Sequence, residues 1–133
     1  MLSKKAQYAL KALSYLTLRQ NEGPVLIVDI AKHENIPIKF LETILLELKH
    51  ADILDSKKGK GGGYFLKAEP ALTSLATVIR IVNGPIALIP CVSLHFYRMC
   101  EDCKTETCKM NIIFAEVRDA TLKILENKTL QDL

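Results

Sequence analysis

Apolar residues recur at helical spacing in several stretches of the chain. Ala6, Leu10, Leu13 and Leu16 fall near one face of a helix over 3–20, with Ser3 placed to cap it and Lys4, Lys5, Gln7 and Lys11 off the stripe. Asn21-Glu22-Gly23-Pro24 supplies the turn that ends it. Val25–Val28 is a short apolar run, Ile30–Glu34 suits a short helix, and Asn35-Ile36-Pro37 breaks the chain again. From Ile38 to Ala51 the apolar positions are Ile38, Leu41, Ile44, Leu45 and Leu48, one face of a helix of about four turns. The other face carries Lys39, Glu42, Thr43 and Lys49, with Phe40 as an apolar outlier.

Ile53-Leu54-Asp55-Ser56 and Tyr64-Phe65-Leu66-Lys67 read as strands. Lys57-Lys58-Gly59-Lys60-Gly61-Gly62-Gly63 lies between them, a turn whose glycines admit positive φ angles. Pro70 to Ser74 is a connector. Leu75, Val78, Ile79 and Val82 mark a further helix that Asn83-Gly84-Pro85 stops. Residues 86–107 have no clean period. Met110, Ile113, Phe114, Val117, Thr121, Ile124 and Leu125 then form a long stripe. A helix over 109–127 spans roughly 28 Å at 1.5 Å per residue, long enough to pack beyond its own domain.

The expected fold is therefore mainly α with a small β-hairpin wing: a winged helix-turn-helix followed by a long C-terminal dimerisation helix. A short helix, a tight turn, an amphipathic helix and a glycine-tipped hairpin occur in the required order. The second helix of such a pair enters the DNA major groove, and the wing offers Lys57, Lys58 and Lys60 to phosphates. A nucleotide-binding phosphate loop fits poorly. Gly59-Lys60-Gly61-Gly62-Gly63 leads into a strand, whereas that motif needs a helix there and Ser or Thr after the Lys.

Length, charge and cysteine placement sharpen this reading. At 133 residues the chain is about one domain's worth, too short for two full enzyme domains. No apolar run approaches the ~18–20 residues of a membrane span, and Met1-Leu2-Ser3-Lys4-Lys5 lacks the apolar stretch of a secretory signal. A cytoplasmic location with no membrane partner is expected. The net charge is +3, but residues 1–67 hold 11 Lys and Arg against 7 Asp and Glu, a net +4, and the remainder is −1. The basic half is where a polyanion would bind.

All four cysteines lie in Cys91-x8-Cys100-x2-Cys103-x4-Cys108. In a cytosolic chain such a cluster points to metal or redox chemistry rather than a disulfide scaffold. Four thiolates complete a tetrahedral zinc site or hold an iron–sulfur cluster, and spacing alone does not name the metal. A metal-free thiol–disulfide switch and inert buried cysteines remain as readings. His95 lies within the loop and is more simply a solvated or structural histidine than a ligand. Phe96 and Tyr97 are placed to shield the loop from solvent.

Lys5-Ala6-Gln7-Tyr8-Ala9-Leu10, Asp29-Ile30-Ala31, Phe40-Leu41-Glu42 and above all Gly61-Gly62-Gly63-Tyr64 resemble the winged-helix regulators typified by IscR, NsrR and CymR. The likeness covers nearly the whole chain. It implies a homodimer whose long helices cross, bound to a palindromic operator in double-stranded DNA. It also implies an iron–sulfur cluster before the long helix, usually held by three cysteines and a variable fourth ligand. Asn111 stands where some members carry a histidine ligand, and Gln7 where some carry an acidic one. By the same resemblance Lys39, Phe40, Glu42 and Thr43 form the base-reading face and Lys58 is the wing cation. Glu42 repels phosphate but accepts from a cytosine amino group, and Phe40 either touches a thymine methyl or belongs to the core.

The expected organisation is a DNA-binding domain over 1–83, a cysteine-rich sensor loop over 84–108, and a dimerisation helix and tail over 109–133. The expected function is a dimeric DNA-binding transcription regulator that senses redox or iron–sulfur status. Its metal ligands would be Cys91, Cys100, Cys103 and Cys108, with an iron–sulfur cluster as cofactor and zinc as the alternative. Rival readings are a zinc-stabilised or metal-free thiol-switch regulator and a zinc-stabilised protein-interaction module. An enzyme using Cys100-x2-Cys103 for disulfide exchange lacks the βαβ setting of such motifs.

Overall fold

The computed structural model describes residues 2–101 and 107–133. Among these the chain folds as helix α1 (Lys4–Leu18), α2 (Ile27–Glu34), α3 (Ile38–His50), strands β1 (Leu54–Lys57) and β2 (Gly63–Leu66), α4 (Leu75–Val82) and the long α5 (Lys109–Asn127). Short 3-10 turns fall at Pro70–Leu72, Pro90–Val92 and Leu130–Asp132. None of the described helices is long and apolar enough to cross a membrane. The architecture is the expected helical one with a hairpin wing.

Local chemistry sets the element ends. The Ser3 hydroxyl accepts from the Ala6 amide at 3.1 Å, satisfying one of the unpaired donors at the start of α1. Ala6, Ala9, Ala12, Leu13 and Leu16 are buried, and Leu10 of the expected stripe is only half-buried. Ala9, Ala12 and Tyr15 thus complete a face that apolar periodicity alone reads as narrower. The run Val25–Val28 divides: Val25 pairs with the wing, Leu26 is extended, and α2 begins at Ile27, three residues before its expected start. Asn35 ends α2 in the left-handed conformation, φ 54°, where its short polar side chain is tolerated.

In α3, Leu41, Ile44, Leu45 and Leu48 are buried, joining α1, Ile53, Leu54, Val78 and Val82 in one core. Ile38 stands in the first turn and is exposed, although its angle on the helix belongs to the stripe. Each strand lies one residue from its expected place: β1 starts later and β2 earlier, in antiparallel register Leu54↔Leu66 to Lys57↔Gly63. Val25 adds a third backbone segment beside β2, exchanging hydrogen bonds with Tyr64 at 2.8 Å in each direction.

The tail returns to this core. The Leu75 amide donates to the Lys128 carbonyl at 2.8 Å and the Leu130 amide to the Thr73 carbonyl at 3.0 Å. Leu130 is fully buried in the core. The Thr129 amide donates to the Asp132 carboxylate at 2.8 Å, closing a capping box and holding that carboxyl below its ordinary range. Because Leu130 follows α5 directly, the long helix is fixed at its C-terminal end to the winged head.

Two wing glycines are required by close approach. A Cβ on Gly62 would lie 2.2 Å from the Lys57 carbonyl oxygen, and one on Gly63, at φ +145°, would lie 2.3 Å from that of Val25. Gly59 has positive φ but open space around it. Gly63→Ala should therefore lower stability by about 2–4 kcal/mol. Gly59→Ala should lose only the ~1–2 kcal/mol of a left-handed backbone. Urea midpoints of the two variants check this, and equal losses would contradict the backbone-contact account.

Candidate nucleic-acid interface and cysteine segment

The exposed side of α3 carries Lys39, Glu42 and Thr43. The Thr43 hydroxyl donates to the Lys39 carbonyl at 3.4 Å, while no hydrogen bond or ion pair among the described residues engages the Lys39 ammonium or the Glu42 carboxylate. Phe40 faces another way. It is half-buried against the core and meets Tyr8 of α1 edge-on, with ring centroids 5.6 Å apart and planes at 80°. Such a T-shaped pair places the positive edge of one ring on the negative face of the other.

Flanking contacts hold this face in place. Lys5 of α1 forms an ion pair with Glu47. The Lys49 ammonium donates to the Ser56 hydroxyl at 2.6 Å, joining α3 to β1. Lys57, Lys58 and Lys60 are exposed around the wing turn, which a bond from the Gly62 amide to the Gly59 carbonyl closes at 3.0 Å. The polar strip of α3 and the lysines of the wing are thus held by one core. Leu46 and His50 continue the exposed strip. Sequence reading passed over Leu46, although positions 39, 42, 43 and 46 have the i, i+3, i+4, i+7 spacing of a single helical face.

The cysteine segment is less gathered than its spacing suggests. Cys91 sits in the Pro90–Val92 turn and is buried, its sulfur accepting from the Asn111 amide at 3.5 Å. Cys100 is exposed, and Cys108 is half-buried at the N-cap of α5. Cys103 lies outside the described residues. Among the described residues no three His, Cys, Asp or Glu side chains stand close enough to hold a metal. The described thiols thus differ in their surroundings, from the buried Cys91 to the exposed Cys100. His95 is exposed. Phe96 and Tyr97, expected to shield the segment, are exposed too, at 49% and 57%, and the Phe96 amide donates to the Ser93 hydroxyl at 3.0 Å.

Two side chains of α5 grip the segment before it. Asn111 reaches Cys91, and the Arg118 guanidinium donates to the Val92 carbonyl at 2.7 Å. Leu122 is buried on the same side, and Glu126 pairs with Arg80 of α4 at 3.3 Å. The opposite side of α5 leaves Met110, Ile113, Val117 and Ile124 exposed, with Ile113 at 57% and Ile124 at 63%. A cleft of about 230 Å³ runs beside it, lined by Leu2, Ile79, Ile86, Leu88, Val117 and Leu125 among others. Contiguous apolar surface of this kind marks an interaction face.

Comparison with known proteins accords with this geometry. A family model described as "Rrf2: Iron-dependent Transcriptional regulator" matches residues 2–133. The chain is 38% identical over 137 residues to an rrf2-like HTH-type transcriptional regulator of Rhodobacter capsulatus, covering 100% of this chain and 91% of that protein. It is 29% identical over 133 residues to the HTH-type transcriptional regulator IscR of Vibrio vulnificus, covering 99% of this chain and 76% of that one. The solved structure of CymR, the global cysteine regulator of Bacillus subtilis, matches with a TM-score of 0.81 at 28% identity, over 99% of this chain and 94% of that one. With a family match over residues 2–133, a helix-turn-helix head, a lysine-bearing wing and a long final helix, the chain belongs to the Rrf2 family of transcription regulators.

Proposed function

We propose that this regulator acts as a homodimer, that it binds a palindromic operator in double-stranded DNA through α3 and the wing, and that its cysteine segment senses redox or iron–sulfur status. The observation that carries the DNA reading is the strip Lys39, Glu42 and Thr43, held on one core with Lys57, Lys58 and Lys60. A helix in the major groove reads base edges, and lysines beside it neutralise phosphates without reading sequence. The organisation that serves this function is a head over 1–83, a sensor loop over 84–108 and a dimerisation helix and tail over 109–133.

The exposed apolar side of α5 supports a homodimer. Ile113→Glu or Val117→Glu should abolish dimer and DNA binding together, because each puts a charge into a face that needs an apolar partner. Light scattering should report a dimer for the parent protein at micromolar concentration. A stable monomer there would overturn this part of the reading.

The two DNA-facing surfaces should separate in binding experiments. Lys58→Ala should weaken binding to all sequences and lower the salt slope by about one unit. Thr43→Ala and Lys39→Ala should change sequence preference more than the slope. A uniform loss in all three variants would rule out base reading by α3.

For the sensor, the family description "iron-dependent" supports an iron–sulfur cluster, with Cys91, Cys100, Cys103 and Cys108 as the residues to hold it and zinc as the alternative occupant. A cluster would supply redox sensitivity to a segment that Asn111 and Arg118 attach to α5. A metal-free thiol switch is the second reading, favoured by the separate surroundings of Cys91 and Cys100. Iron, sulfide and zinc content of anaerobically prepared protein decides between them. Cys103→Ala and Cys108→Ala should lose the cofactor. A metal-free protein whose operator affinity ignores both cysteine substitution and oxidant would leave the segment structural.

A further inference from the structure

We propose that Leu46 is a specificity-determining residue: its side chain packs on the C5-methyl group of a thymine in each operator half-site. The inference rests on the reading above that α3 lies in the major groove. At about 100° per residue, Leu46 lies within ~20° of Lys39 around the helix axis, between Glu42 and Thr43 and one to two turns on. It is 47% exposed, in the middle of the face that the groove would receive, while Leu41, Ile44, Leu45 and Leu48 are buried on the other side. The homeodomain's major-groove helix reads bases from the same i, i+3, i+4, i+7 spacing.

A single exposed leucine is ordinary on a protein surface, and its place is what distinguishes this one. Lys39, Glu42 and Thr43 offer a cation, an acceptor and a hydroxyl to base edges. Lys39 has an aliphatic stem and Thr43 a methyl, but each ends in a polar group that competes for base edges or phosphates, whereas the Leu46 side chain is wholly apolar. The thymine methyl is the one apolar group on a base edge in the major groove. Phe40 is the other apolar side chain near the strip, but its ring is committed to Tyr8 and the core. Ile38 is exposed in the first turn, about 100° away from Lys39. Leu46 is therefore the apolar group best placed to meet a thymine methyl.

Uracil differs from thymine only by that methyl, so it tests the contact without disturbing base pairing. The operator is first obtained by selecting bound sequences from random duplex DNA, and each thymine is then replaced in turn by uracil. For the parent protein, one thymine per half-site should show about a fourfold loss of affinity, the value of removing one methyl-sized group from a buried contact. Replacing it in both half-sites should cost about sixteenfold, the product of the two losses. Leu46→Ala should bind thymine and uracil operators equally at that position, and Leu46→Met should restore the difference. Circular dichroism melting should show both variants folded, since Leu46 lies outside the core.

A uracil penalty that persists undiminished in Leu46→Ala would overturn the proposal. So would an operator in which no thymine methyl matters. Either result would leave base reading by Lys39 and Thr43 standing. Selection that returns no preferred sequence would instead remove the DNA-reading function itself, and Leu46 with it.

Discussion

Two hydrogen bonds between the backbones of Val25 and Tyr64 set the relation of the wing to the helices. They tie β2 to the segment that enters α2, and α2 leads through a tight turn into α3. The Val25 rung is short because only glycine at position 63 lets the strand come so close. The Lys49–Ser56 bond adds a side-chain strut from α3 to β1. The polar strip of α3 and the lysines of the wing are thus held as one shape, so the proposed binding of a duplex there would leave little to order.

The second half of the architecture rests on anchors at both ends of α5. Leu130 is buried in the head, and Arg80 meets Glu126 beside it. Toward the other end, Asn111 and Arg118 hold the Pro90–Val92 turn that contains Cys91. Between these anchors one side of the helix packs on its own chain and the other leaves isoleucine, valine and methionine in solvent. A surface of that kind is stable in water only at low concentration or under a partner.

Much of this is legible before any coordinates. The stripes Leu41, Ile44, Leu45, Leu48 and Leu75, Val78, Ile79, Val82 are strong because leucine, isoleucine and valine occupy every core position. The face of α1 is harder, since alanine sits equally well inside and outside, and Ala9 and Ala12 gave no signal. The start of α2 was obscured because one apolar run serves two purposes, a strand rung at Val25 and a helix from Ile27. Leu130 could not be placed at all: an isolated leucine after a helix has no period, and only the distant Thr73 and Leu75 backbones explain its burial. For the site, charge and spacing marked Lys39, Thr43 and the wing lysines. The direction of Phe40 depended on Tyr8, which no local pattern reveals. The cysteine spacing pointed to one centre, yet Cys91 and Cys100 occupy different surroundings, because residues close in sequence need not share a turn.

Anchoring the tail at Leu130 makes α5 a lever with its fulcrum in the DNA-binding head. The distance along the helix from Asn127 back to Asn111 is about 24 Å at 1.5 Å per residue. A tilt of ~5° about the fulcrum moves the far end by about 2 Å on that length. Read in reverse, a small displacement at the Cys91 end would rotate the head relative to α5, and in the proposed dimer the twofold axis would apply the same rotation to both heads. In the proposed complex the spacing of the two α3 helices would then be set by an angle, and an operator with fixed half-site separation would accept only a narrow range of that angle.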